Sequence, residues 1–314
     1  MRFNPKARLD TRRMGDAGRG AGGSRGGGSR AGGGIPIPGG LAGGGIGGVI
    51  VIVIIVAISM FAGGGLPGGS PGGYDTSRMS DTGRYEDCKT GEDANNSPDC
   101  ARVAVENSLY DYWSDTLPAQ SDTSFSPEEK VETFTDGIGT GCGAASSDVG
   151  PFYCPSDQTI YLDTTFFDDV LERQLGGPDG GFVEPYVLAH EYGHHVQNLL
   201  GTMGKVKTQQ GPKSDAVRLE LQADCYAGMW AKAATSTQDE DGNVLISELT
   251  DDDIQQAIDA ATAVGDDRIQ EASGGDVDPE SWTHGSAKSR VKWFMTGYTE
   301  GSLDACDTFA AGAL

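Results

Sequence analysis

Residues 187–201 read Val187-Leu188-Ala189-His190-Glu191-Tyr192-Gly193-His194-His195-Val196-Gln197-Asn198-Leu199-Leu200-Gly201, and this stretch decides how the rest of the chain is read. Val187, Leu188, Val196 and Leu199 supply apolar contacts, and Gly201 stops the run, so a helix is predicted over 184–200. His190 and His194 are four residues apart, which places them about 40° apart around the helix axis. Both imidazoles therefore reach one metal ion. Glu191 sits beside the first of them, where a carboxylate can take a proton from water activated by that metal. His195 falls about 140° from His190 and cannot share the ion without distorting the helix; it is read as a packed or hydrogen-bonded neighbour. Gly193 permits close approach of another element. A short pattern with three fixed positions also occurs by chance on solvated helices, so the assignment needs a second half.

That second half is Arg218-Leu219-Glu220-Leu221-Gln222-Ala223-Asp224-Cys225, on a helix predicted over 215–233. Catalytic zinc takes three protein ligands and keeps an open position. Glu220 is the candidate third ligand. Asp224 lies on the same face, four residues on, and can accept a hydrogen bond from the distal N–H of a ligand histidine. A solvated acidic face would explain the same carboxylates, but Leu219, Ala223, Ala227 and Trp230 point to a largely buried helix. A buried carboxylate needs a partner. His284, in Glu280-Ser281-Trp282-Thr283-His284-Gly285, is a candidate for stabilising a catalytic oxyanion, or equally a helix cap or an exposed residue. Arg290 is a weaker candidate for the same task.

The composition bounds the setting. The 314 residues include 49 glycines, concentrated in 15–48 and 63–73, which are read as unable to bury a core. Eight of the 23 basic residues but only two of the 46 acidic ones lie in 1–45, so the remainder carries a net charge of -29. Nucleic acid is a poor partner for such a surface. The uncharged stretch Ile46–Ala62 is near the length of a membrane span once Leu41–Gly45 is added. With basic residues only on its N-terminal side, it is expected to place the N-terminus in the cytoplasm and the C-terminal domain outside. A cleaved signal peptide and a buried core helix are the competing readings. The expected organisation is a disordered basic tail over 1–40, a single-pass transmembrane signal anchor over 41–62, a flexible linker over 63–84 and a catalytic domain over 85–314. All six cysteines follow the apolar stretch, consistent with an oxidising compartment. Proximity favours Cys88 with Cys100 and Cys142 with Cys154, leaving Cys225 with Cys306.

Helices are further predicted over 101–113, from a cap at Ser126 with Pro127 at the first helical position, from Thr164 to Leu171, over 250–263 and over 285–298. Gln158–Asp163 reads as a strand that could form a sheet edge and take an extended peptide by strand addition. The sum is an α+β fold, mostly helical with one small sheet.

The chain resembles the neutral zinc metallopeptidases of bacteria. The likeness rests on Met1-Arg2-Phe3-Asn4, Phe152-Tyr153-Cys154-Pro155, Ile160-Tyr161-Leu162-Asp163 with Phe166-Phe167, His190 to Gln197, and Glu220 to Cys225. It continues through Gly265-Asp266-Asp267, Ser281 to Gly285 and Arg290-Val291-Lys292-Trp293-Phe294. It implies a zincin-like fold, one zinc ion per chain held by His190, His194 and Glu220, Glu191 as catalytic acid and base, and a protein or peptide substrate. The long glycine-rich N-terminal stretch departs from the family pattern. Two other functions stay open: a membrane-tethered binding or scaffold protein with structural zinc or none, and an amidase of cell-wall peptides.

Overall fold

The computed structural model describes residues 1–19, 82–146, 149–173, 175–177 and 181–314. The proposed span over 41–62 and nearly all of the linker lie outside these residues. Among those described, no helix is long and apolar enough to cross a membrane.

A four-stranded sheet is built from β2 (Met14–Arg19), β3 (Lys130–Thr135), β6 (Phe152–Cys154) and β7 (Thr159–Asp163), in the order β2-β3-β7-β6. β2 and β3 are parallel, β3 and β7 are parallel, and β6 runs antiparallel to β7. β7 is therefore an inner strand, buried at every position, with Ile160, Tyr161 and Leu162 at its centre. This corrects the expected edge: β6, three residues long, occupies that place. Between β3 and β6 a hairpin pairs β4 (Gly137–Thr140) with β5 (Gly143–Ser146). The hairpin caps a satellite apolar cluster that includes Phe134, Ile138, Phe152 and Tyr161.

Seven α-helices are present among the described residues: α1 (Gly91–Asn96), α2 (Pro98–Gln120), α3 (Val183–Leu199), α4 (Asp215–Ala233), α5 (Asp251–Ala263), α6 (Asp266–Ala272) and α7 (Ala287–Glu300). Ser97 and Pro98 start α2, and Ser214 caps α4 through the Val217 N–H. Thr250 and Asp253 form a reciprocal capping box at α5. The expected helix from Ser126 does not form. Glu128 turns fully inward instead, and the chain extends into β3, whose partner β7 offers a ladder that a helix there would forfeit. The segment after Thr164 forms a π-helical turn at Phe167–Glu172 rather than an α-helix.

α4 is the centre of the helical layer, packed against both α3 and α7. Two glycines permit its crossing with α7. A Cβ on Gly228 would lie 2.0 Å from the Phe294 carbonyl oxygen, and one on Gly297 would lie 1.8 Å from that of Cys225. Any larger residue would force the helices apart. Disulfides join Cys88 to Cys100, Cys142 to Cys154 and Cys225 to Cys306, the pairing that proximity favoured. The last ties the middle of α4 to the C-terminal segment.

The N-terminal residues correct a second expectation. Residues 1–19 are not a disordered tail but part of this domain. β1 (Arg2–Phe3) pairs with β8 (Ile246–Glu248), and β2 is a strand of the main sheet. Residues 1–14 contain no glycine and carry the apolar anchors Phe3, Ala7 and Met14, all buried.

Candidate metal centre

α3 and α4 present their inward faces to one another, and the candidate ligands converge there. One donor atom from each of His190, His194 and Glu220 lies within 4.8 Å of the others. The imidazole centroids of His190 and His194 are 4.8 Å apart and nearly perpendicular, at 88°. Close helix approach makes this possible: a Cβ on Gly193 would sit 3.1 Å from the Ala223 backbone.

Each imidazole is held through Nδ1, which turns Nε2 toward Glu220. His190 Nδ1 lies 2.8 Å from Asp224 Oδ1, and His194 Nδ1 lies 2.8 Å from Gln197 Oε1. The two Nε2 atoms lie 3.2 Å and 3.5 Å from the two Glu220 oxygens. Gln197 is itself fixed, donating to the Leu219 carbonyl at 2.7 Å. Two Nε2 atoms and a carboxylate, with both Nδ1 positions committed elsewhere, form a donor set that suits zinc with a position left open.

Asp224 is the hub behind the ligands. Tyr186 Oη donates to it at 2.7 Å, and Arg290 Nε and Nη2 each donate at 2.8 Å. Burial pushes its carboxyl up, but Arg290 and His190 outweigh burial and hold it at about 2. Burial likewise opposes charge on His190, yet Asp224 and then Glu220 push its pKa up to about 10. The Glu220 carboxyl, raised by burial, is pulled well below its ordinary range by His194 and His190.

Glu191 lines the same cleft as the three ligands. Burial raises its pKa, against the downward pull of His194 and His190. His284 also lines the cleft. Its Nδ1 is 2.9 Å from Thr283 Oγ1 and 3.2 Å from Asp266 Oδ1, which leaves Nε2 to face the site. Asp266 Oδ2 also accepts the backbone N–H groups of Thr283, His284 and Gly285 at 2.7–2.9 Å. His284 thus stands on a loop gripped by one carboxylate. Arg290 lines the cleft as well, but its guanidinium is committed to Asp224.

His195 lies on another face of α3, fully buried. Its Nε2 donates to the Ser126 carbonyl at 2.7 Å, so Nδ1 accepts from Tyr153 Oη at 3.1 Å. Burial lowers its pKa to about 4. It fastens β6, the cleft-side strand, to the helix. Sequence reasoning passed over Tyr186, Gln197, Tyr153 and Asp266. Tyr186 was within reach, since it precedes His190 by four residues and so shares its face. Gln197, three residues after His194 on the same face, was within reach in the same way; Tyr153 and Asp266 become visible only when β6 and the 283–285 loop are placed.

An uncharacterised protein of Mycobacterium tuberculosis (strain ATCC 25618 / H37Rv) is 48% identical over 258 residues, covering 79% of this chain and 86% of that protein. A Mycobacterium bovis protein, also uncharacterised, matches to the same extent, 48% over 258 residues. Escherichia coli (strain K12) YpfJ, another uncharacterised protein, is 44% identical over 176 residues, covering 54% of this chain and 58% of its own length. No solved structure matches the chain significantly. A family model spans residues 8–309, which include every ligand candidate, and on that match the chain belongs to the family described as "Putative neutral zinc metallopeptidase".

Proposed function

We propose that the chain is a zinc-dependent endopeptidase, binding one zinc ion through His190 Nε2, His194 Nε2 and a Glu220 oxygen and hydrolysing peptide bonds of a protein or peptide substrate. The observation that carries this reading is the convergence of these three buried donors in a cleft that also holds Glu191. Zinc bound there supplies a Lewis acid that polarises the scissile carbonyl and acidifies water. Glu191 takes the proton of the attacking water on its carboxylate and delivers it to the departing amine nitrogen. Its burial suits this exchange, because a carboxyl with a raised pKa holds a proton more readily. His284 donates from Nε2 to the oxyanion that forms at the carbonyl carbon. Asp224, fixed by Arg290 and Tyr186, keeps His190 in the tautomer that offers Nε2. The three disulfides support action in an oxidising compartment, outside the cytoplasmic membrane.

The test is zinc analysis of the purified chain with a casein-cleavage assay, on wild type and Glu191→Gln. Close to one zinc per chain in both proteins, with cleavage lost only in the variant, supports the reading. Equal cleavage by the variant removes Glu191 from the mechanism. Retained zinc without cleavage of any protein, but with digestion of isolated peptidoglycan, would instead favour the amidase reading. Absence of zinc and of both activities would favour a binding or scaffold role.

A further inference from the structure

We propose that residues 1–19 and 82–314 lie on the same side of the cytoplasmic membrane as one folding unit, pinned by Arg13 against a buried Glu106–Glu128 pair behind the metal-site helix. The charge distribution along the sequence argues for the opposite arrangement, with the basic N-terminus retained in the cytoplasm. The contacts do not permit it. Residues joined by hydrogen bonds of ordinary length cannot be separated by a hydrocarbon layer about 30 Å thick.

Three sets of contacts carry the inference. In the sheet, Met14, Gly15 and Asp16 stand in parallel register with Val131, Glu132 and Thr133. The buried Asp16 accepts from Thr133 Oγ1 at 2.7 Å and pairs with Arg84 at 3.2 Å. At the start of the chain, the Phe3 N–H donates to Asn95 Oδ1 at 3.0 Å, and Asn95 Nδ2 returns a bond to the Phe3 carbonyl at 2.9 Å. A Cβ on Gly91 would lie 1.9 Å from the Asn4 carbonyl oxygen, so only glycine lets the start of α1 lie against this segment.

The third set concerns charge. Glu106 and Glu128 are buried beside each other at the base of α3, near Tyr192. Arg13 Nε lies 2.6 Å from Glu106 Oε1 and 3.9 Å from Glu128 Oε1, and its guanidinium stacks 4.0 Å over the Tyr110 ring. Two carboxyl groups enclosed together favour a proton on one of them and a cation beside the other. The chain supplies it from a residue more than ninety positions away, across the whole glycine-rich stretch. A domain folded without residues 1–19 would leave that pair uncompensated. On this proposal the chain between Gly18 and Thr82 crosses the membrane an even number of times or not at all.

The experiment uses the full-length chain in its native host, or in a bacterial host that forms its disulfides. One epitope tag is inserted between Gly22 and Gly23 and a second follows Leu314, and protease accessibility of each is read in intact protoplasts. The expected result is the same accessibility for both tags. A protected first tag with an accessible second one overturns the proposal. In parallel, Arg13→Met is expected to lower Tm by about 10 °C, the scale for breaking a buried ion pair in a domain of this size. Arg13→Met combined with Glu106→Gln is expected to recover part of that loss. If Arg13→Met does not accumulate, recovery of folded protein by the double variant supports the same conclusion. An unchanged Tm in Arg13→Met overturns the role of Arg13. Neither readout depends on peptidase activity, so both stand apart from the proposed function.

Discussion

Helix α3 is polar on two of its faces, and both are buried, yet they are solved differently. On one, His190 and His194 meet Glu220 and Asp224, and every ligand nitrogen not aimed at the centre is tied to a partner. On the other, Tyr192 faces Glu106 and Glu128, with Arg13 brought in from the N-terminal segment. The first face gathers donors for a cation from outside the chain. The second carries its own cation, and Glu106 and Glu128 are fully enclosed. Both obey the same rule, that enclosed negative charge needs a positive partner. The difference lies in who supplies the partner, and it separates a site of chemistry from a device of folding.

Substitutions on the two faces should therefore differ in kind. The largest effect is expected from Glu191→Gln, which removes the proposed general acid and base and should lower kcat by about 10³-fold. Zinc content and Tm should stay at wild-type values, as measured by elemental analysis and calorimetry. A fall in zinc content would mean that Glu191 supports the ligand set itself.

Asp224→Asn comes next. Losing the carboxylate behind His190 should weaken zinc binding by about 10–100-fold, read by competition with a chromophoric chelator. It also strands Arg290, so Tm should fall. An unchanged affinity would show that Tyr186 and Arg290 orient the ligand without Asp224.

On the second face the prediction concerns pH and stability, not turnover. Burial, and then Glu106, raise the Glu128 carboxyl well above its ordinary value. The folded state thus binds a proton that the unfolded chain releases near pH 4.5. Stability from this group is fully present below that pH and is lost as pH rises through the raised folded value. Glu128→Gln copies the protonated form, so the Tm difference between variant and wild type should grow in the variant's favour from pH 4.5 to pH 8, to about 5 °C. A constant difference across that range would show that Glu128 does not take up the proton. Turnover at pH 7 should be nearly unaffected.

The smallest effect is expected between the two faces, at Gly193. Its added Cβ in Gly193→Ala would meet the Ala223 backbone at 3.1 Å. The expected cost is about 1–2 kcal/mol of stability, with zinc affinity reduced less than in Asp224→Asn. A larger loss of zinc than of stability would show that ligand spacing tolerates no shift of α4.

Legibility followed the range of the interactions. His190, Glu191 and His194, and likewise Glu220 and Asp224, were found because a helix makes spacing along the chain equivalent to direction in space. The start of α5 at Thr250 is equally local. By contrast, Ser126-Pro127-Glu128-Glu129 has the local form of a helix start and becomes an extended lead into β3. Its fate is decided by β7, which lies outside any local window, and by the pocket that takes Glu128. The same limit explains the sheet edge. Thr159–Asp163 reads as strand, but its enclosure is decided by β3, arriving from earlier in the chain, and by β6, a strand with no sequence signal of its own.

The amino-acid sequence by itself pointed to the candidate metal ligands, the helices that carry them and the two short cysteine pairs, because each depends on residues close together along the chain or on one helix face; Cys225 with Cys306 followed as the remaining pair. The tertiary structure alone decided that His195 fastens β6, that Arg290 serves Asp224, and that residues 1–19 belong to the domain. Those outcomes come from buried polar groups finding partners at long range, and composition cannot reveal them. A basic, glycine-flanked segment has the same composition whether Arg13 is bathed in water or closed over Glu106. Only the folded chain shows which carboxylate it meets.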